Sequence, residues 1–267
     1  MIVKYINSQG TEISLSEAPY YLTTDTDITD YEYKFENDKY NMSSLYKEIN
    51  EHGLQIAIKG GSDADKNTLH EIFDIDCITN NAGRLYIGDY YINIFVHKSE
   101  KPILYVRENT TVNNYSCLVV SKNWIRENTT LFIKKEYEEE GLNFPFNYPF
   151  NFSTNTFQND TLVNDHFTDS HFKMVISGYA QNPNVVIGGH AYKVNVVVGE
   201  GENLVIDSMK RTISLIRQDG TVENRFADRD RESYVFEKIK AGNQFVAWGE
   251  FNFEITLYNE RSEPLWT

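Results

Sequence analysis

The chain has 267 residues and a net charge of −14, from 25 Lys and Arg against 39 Asp and Glu. That balance excludes an ordinary grip on nucleic acid, because neutralising phosphates takes clustered Lys and Arg. At 40% hydrophobic the chain can bury sizeable cores, and 18 Tyr and 16 Phe against 6 Pro favour β-structure over disorder.

The elements begin with a hairpin: IVKYI (2–6) and TEISL (11–15) flank the turn residues Ser8, Gln9 and Gly10. Residues 25–41 are polar, acidic and tyrosine-rich and read as an edge strand plus an exposed loop. Residues 43–52 have a thin apolar stripe ending at Gly53 and read as a short helix. Leu54, Ile56 and Ile58 alternate with polar neighbours, the pattern of a half-buried strand. The clearest helix covers 65–74. Asp63 or Asp65 can cap it, and Leu69, Ile72 and Phe73 fall at i, i+3, i+4 on one face. Two strands follow around Gly88 and Asp89 within 84–97, with further strands expected at 103–107, 115–121 and 130–137.

Residues 143–152 read NFPFNYPFNF. Pro145 and Pro149 push Phe144 and Tyr148 toward extended backbone and suit neither a helix nor a sheet centre. A flexible linker would be rich in Gly and Ser. This one carries Phe144, Phe146, Tyr148 and Phe150, so it reads as a stiff joint that packs against what it connects. Its boundaries divide the chain into 1–142 and 153–267. A Pro-rich edge loop within one large β domain is the alternative. Beyond it, Tyr192, Val194, Val196 and Val198 share one strand face. Asp219 and Gly220 signal a hairpin, a strand is expected at 234–239, and Phe251, Phe253, Ile255 and Leu257 alternate in the last one. Many short strands with regular turns mean a sandwich or jelly roll.

Little chemistry stands out. His166 and His171 lie among Asp165 and Asp169, but no further cluster completes a metal set, and a polar loop is the plainer reading. Cys77 and Cys117 make neither a disulfide framework nor a zinc site. Phosphate loops and GxSxG elbows are absent. Trp124, Trp248 and Trp266 could stack sugars, although so few tryptophans more often serve cores or interfaces. No apolar run approaches a membrane span, and the opening MIVKYINSQG lacks signal-peptide features, so the expectation is a protein made and kept in a cytoplasm until it is moved.

In order and spacing, four stretches resemble the distal tail proteins of siphophages that infect Gram-positive hosts. They are the opening hairpin, KNTLHEIFDID (66–76) running into GRLYIGDYY (83–91), GEGENLVID (199–207) and the closing IKAGNQFVAWGEFNFEITLYNERSEPLW (239–266). The resemblance covers essentially the whole chain. It implies a mainly β fold: an N-terminal β domain with one helix, of the tail-tube ring type, and a C-terminal galectin-like β-sandwich. It further implies a homohexamer at the tail tip or baseplate of a virion, assembled in the host cytoplasm. Such a ring joins the tail tube protein to a tail-associated lysin or tip protein and offers docking sites to receptor-binding proteins. DNA passes through its lumen without specific binding. The resemblance implies no enzymatic activity, no cofactor and no membrane contact. On this reading the helix face of Leu69, Ile72 and Phe73 serves the ring domain.

A carbohydrate-binding β-sandwich protein for host-wall recognition is the alternative, with Trp248 and nearby tyrosines stacking sugar rings. The chain has no room for the carbohydrate-binding insertions that some relatives carry.

Overall fold

The computed structural model describes residues 2–39, 41–60, 62–100, 103–105, 109–134 and 158–265. It is mainly β, with one α-helix among the described residues. Contacts gather the chain into two compact units. One is Met1–Arg126 with Glu260–Thr267, and the other is Glu127–Asn259. The chain thus passes between them after Arg126 and returns after Asn259, while the expected joint at 143–152 lies outside the described residues.

In the first unit, the expected opening hairpin forms between Val3–Ile6 and Glu12–Ser14. Val3–Ile6 also pairs with Gly83–Ile87, which pairs with Tyr90–Ser99. That strand joins Thr110–Val119, which joins Asn50–Lys59, which in turn joins Tyr20–Leu22. Tyr20–Leu22 pairs with Ser16–Glu17, the direct continuation of Glu12–Ser14. The strands therefore close on themselves, and Leu15 is the hinge. Its N–H donates to the Val3 carbonyl at 2.8 Å, and its own carbonyl accepts from Leu22 N–H at 2.7 Å. Closure satisfies backbone groups that an open edge would leave bare.

Alternation along these strands sends Tyr5, Leu15, Leu54, Ile56, Leu85, Ile94 and their neighbours into one core. Each fully buried apolar side chain of this size contributes roughly 1.5–3 kcal/mol. The helix, Asp63–Thr79, packs on the same core through Leu69, Ile72 and Phe73. It is longer than expected at its C-terminal end, and its cap is Ser62 instead of an aspartate. The Ser62 side chain accepts from Asp65 N–H, and the Asp65 carboxylate accepts from Ser62 N–H, a reciprocal box. Asn80 ends it in the left-handed conformation, at φ 53°.

The short helix expected at 43–52 does not form. Its residues enter two strands, Met42–Tyr46 and Asn50–Lys59. The latter pairs along its whole length with Thr110–Val119, a set of non-local hydrogen bonds that a thin apolar stripe could not outweigh. The strand expected at 103–107 is seen as Ile103–Tyr105, and the next two begin earlier than expected, as Thr110–Val119 and Trp124–Phe132.

The second unit is a two-layer sandwich. One sheet runs Gln158–Asn164, Gly242–Trp248, Asn184–Ile187, His190–Lys193. The other runs Val222–Asn224, Thr212–Ile216, Asn203–Asp207, His171–Ser177, Asn252–Arg261. Leu162, Val185, Val246 and Trp248 of the first sheet meet Met174, Ile206, Leu215 and Phe253 of the second in a single core. Phe132 stacks on Phe253 at 4.6 Å between ring centroids, with Trp248 edge-on to both. The hairpin expected at Asp219 and Gly220 is present. The strand expected at 234–239 is not. Val235, Phe236 and Ile239 still reach the core, but from a turn tied by Glu237 N–H to the Tyr234 carbonyl. The Ile239 carbonyl accepts from Asn164 Nδ2 and Ser170 N–H, so side-chain and single-bridge bonds replace a strand partner.

Candidate assembly surfaces

The helix residues singled out from sequence are all inside. Leu69, Ile72 and Phe73 are buried, and Phe73 meets Tyr5 and Tyr115 edge-to-face at 5.1 and 5.3 Å. Their work is to hold the helix on its own unit. What the helix leaves outside includes Glu71, Asp74 and Ile78, the last 83% exposed. Its C-terminal turn is fixed by Asp76, a fully buried carboxylate that accepts from Tyr5 Oη and from Ser8 N–H at 2.6 Å. Burial, seconded by the Asp76 hydrogen bond, pushes the Tyr5 hydroxyl far above its ordinary range, so it stays a donor. A side chain at Gly83 would collide with this pair, its Cβ falling 2.4 Å from Asp76 Oδ2. Phe144, Pro145, Phe146, Tyr148, Pro149 and Phe150 lie outside the described residues.

One unpartnered feature among the described residues of the first unit is one the sequence left open. Lys34–Asn37 and Met42–Tyr46 form a two-stranded ribbon that, among the described residues, pairs with no other strand. Phe35 stands opposite Leu45, so their side chains share a face. Phe35, Met42 and Leu45 are 61%, 62% and 53% exposed. A lone two-stranded hairpin is marginal in water, and a cluster of exposed apolar side chains on one marks an interaction surface.

The root of this hairpin is built firmly. Lys47 Nζ lies 4.6 and 4.9 Å from the ring centroids of Tyr31 and Tyr33 and donates to Asn123 Oδ1 at 3.1 Å. Burial pulls the Lys47 ammonium below its ordinary range, against an opposing pull from Glu263. Tyr33 Oη and Ser262 Oγ are 2.9 Å apart, so the returning segment also braces the root. Lys34 and Glu48 form an exposed ion pair beside it.

The remaining sequence candidates resolve into structure. Asn164 accepts from His166 N–H and Ser170 Oγ, while Asn259 links Ser170 to Asp165, which makes the histidine segment a polar knot. Among the described residues no group of three His, Cys, Asp or Glu is placed to hold a metal ion. Trp124 and Trp248 are buried, and Trp248 Nε1 donates to the Phe251 carbonyl, so neither offers a face to a sugar; Trp266 lies outside the described residues. Burial pushes the Cys117 thiol up to about 12, leaving it inert. In the second unit, Arg217 donates to Glu223 at 2.8 Å and to Glu202 at 2.9 Å, and holds both carboxyls below their ordinary range. These pairs brace two turns and present no converging group to a reacting atom.

No family model matches the chain, and no curated protein matches it. Solved structures do. A chain of the phage P2 baseplate in its activated conformation with Ca superposes with a TM-score of 0.61 at 9% identity, covering 99% of this chain and 100% of that one. A phage p2 baseplate chain with Sr gives 0.63 at 11% identity, over 98% and 99%. The Dit protein of phage SPP1, described as a paradigm of the hub adsorption apparatus in phages infecting Gram-positive hosts, gives 0.57 at 8% identity, over 98% and 100%. Along nearly its whole length, then, this chain has the fold of phage baseplate and Dit hub proteins.

Proposed function

We propose that the protein is a structural adaptor of a phage tail tip: a homohexameric ring that joins the tail tube protein to a tail-associated lysin or tip protein. The fold likeness over the full length carries this reading, because it spans both units and not a common sandwich alone. The first unit forms the ring and the second, galectin-like, faces outward, where receptor-binding proteins dock. The net charge of −14 suits a conduit through which DNA must slide without sticking. The virion tail is the working location, and assembly takes place in the host cytoplasm. The adaptor reading is preferred to carbohydrate binding because Trp124 and Trp248 are core residues.

Negative-stain electron microscopy of the purified protein, with its mass measured on the same sample, tests the proposal. Sixfold rings near six times 31.0 kDa, alone or with tube and tip proteins, are expected. A persistent monomer in the presence of both partners overturns it.

A further inference from the structure

The two sheets of the second unit differ in what they turn away from the core. On the sheet that contains His171–Ser177, this outer face is charged. Lys173 lies beside Thr256 and Asp207, and Val175 beside Glu254. On the four-stranded sheet the outer face is different. Register places Asn159 beside Ala247, Thr161 beside Phe245 and Val163 beside Asn243; Ala247 also flanks Val186, which flanks Ala191. None of these eight side chains is charged, in a chain that is 24% charged. The first charge along the face is Lys193, opposite Asn184. Phe245 and Val163 are 59% and 53% exposed. The outer face of an antiparallel sheet is normally polar where water covers it, so an uncharged face bearing an exposed Phe calls for another cover.

The chain carries a segment of matching chemistry beside that face. Residues 135–157 lie outside the described residues, and the chain re-enters at Gln158, the first residue of the same sheet, paired with Trp248. This stretch falls within the span of the second unit, Glu127–Asn259. Within it, residues 143–152 hold no charge. Phe144, Phe146, Tyr148, Phe150 and Phe152 take every second position, and Asn or Pro fills each position between. Pro145 and Pro149 favour extended backbone at the residues before them, and on an extended chain this alternation puts all five rings on one side. The reach is sufficient. Phe152 is six residues from Gln158, up to ~20 Å of chain, whereas Phe245 stands three residues from Trp248, ~10 Å along its strand.

We propose that residues 143–152 lie across the outer face of the four-stranded sheet, with their aromatic side over Phe245 and Val163. The occupant of the face is thus a segment of the same chain, and the sandwich gains a third layer on that side. Burial of the five rings together with Phe245 supplies the free energy. Partners of the second unit then dock elsewhere than on this face. The proposal holds whether or not the chain forms rings.

Brief digestion of the full-length protein with chymotrypsin tests it, because the segment offers cuts after Phe146, Phe150 and Phe152, the aromatics not followed by proline. Cuts are located by mass. They are expected to be slow in the wild type and at least tenfold faster in F245S, with an unchanged melting temperature because Phe245 is exposed among the described residues. V222S, which alters a 65% exposed residue of the other sheet, is expected to leave the rate unchanged. Equal rates in the wild type and F245S, whether fast or slow, overturn the proposal. A crosslink provides the second measurement. Exposed Cys77 is replaced in C77S, and N147C with T161C, which spare every aromatic, are treated with a short bismaleimide. A link within one chain is expected, at several-fold higher yield than when F245S is added. Links only between chains assign the face to a second copy and overturn the proposal, as does a yield indifferent to F245S.

Discussion

Two hairpins in this molecule begin from similar patterns and end differently. Thr212–Ile216 with Val222–Asn224 buries Ile213 and Leu215 completely, because Asn203–Asp207 flanks it and the opposite sheet covers it. Lys34–Asn37 with Met42–Tyr46 carries Phe35, Met42 and Leu45 on a ribbon with no flanking strand among the described residues. Apolar residues on a hairpin therefore do not say whether they make a core. What decides is whether the same chain provides a third strand and a cover.

Mutations sort the two accordingly. The largest effect is expected at Leu215→Ala, which leaves a cavity in the sandwich and should cost about 2–5 kcal/mol in a chemical denaturation series. A cost under about 0.5 kcal/mol would put this hairpin on the same footing as the exposed one. Next comes Lys47→Met, which removes the cation held against Tyr31 and Tyr33 at the other hairpin's root. About 1 kcal/mol is expected, read as faster amide exchange across residues 34–46 with the rest of the unit unchanged.

A smaller effect separates the two by pH. Glu202 and Glu223 have depressed folded-state values, chiefly through hydrogen bonds from Arg217. Their contribution is therefore present above the ordinary value of 4.5 and fades as pH falls through the folded-state values. Both groups are half-buried at the surface within reach of solvent, so the loss is modest. Thermal melts at pH 7 and about pH 3 should show a smaller acid penalty in Arg217→Gln than in the wild type; equal penalties would remove the network from the account. The smallest stability effect is expected for Phe35→Ser with Leu45→Ser, within about 0.5 kcal/mol because both side chains are exposed. The same variant should lose association, which calorimetry and mass measurement on one sample would separate.

Local signals made much of this fold legible. The turn residues after Ile6, Ile87 and Ile216 announced hairpins, and Leu69, Ile72 and Phe73 announced a helix whose face is buried as spaced. Errors came where distant residues decide. Ser43 and Gly53 look like helix punctuation, but Thr110–Val119 claims residues 50–59 as a strand. Val235, Phe236 and Ile239 look like a strand, yet Asn164 and Ser170 take the Ile239 carbonyl. The assembly surface was the least legible part. Phe35, Met42 and Leu45 sit among charged and polar residues, and only the fold shows that they stay exposed among the described residues. The signal available was an apolar scatter within an acidic, tyrosine-rich stretch that no helix pattern explained.

The first unit is also discontinuous, and this has a consequence for timing. Its last pieces, beginning at Glu260, leave the ribosome only after the entire second unit has been made. Ser262, which braces Tyr33 at the hairpin's root, is among them. Nascent chains on one message therefore carry a sticky ribbon whose base is not yet fastened. The Tyr33–Ser262 contact at the ribbon's root forms only when synthesis has passed Ser262. A chain truncated before Ser262 would lack this contact to Tyr33, so its hairpin root would be held less firmly than that of the full-length protein.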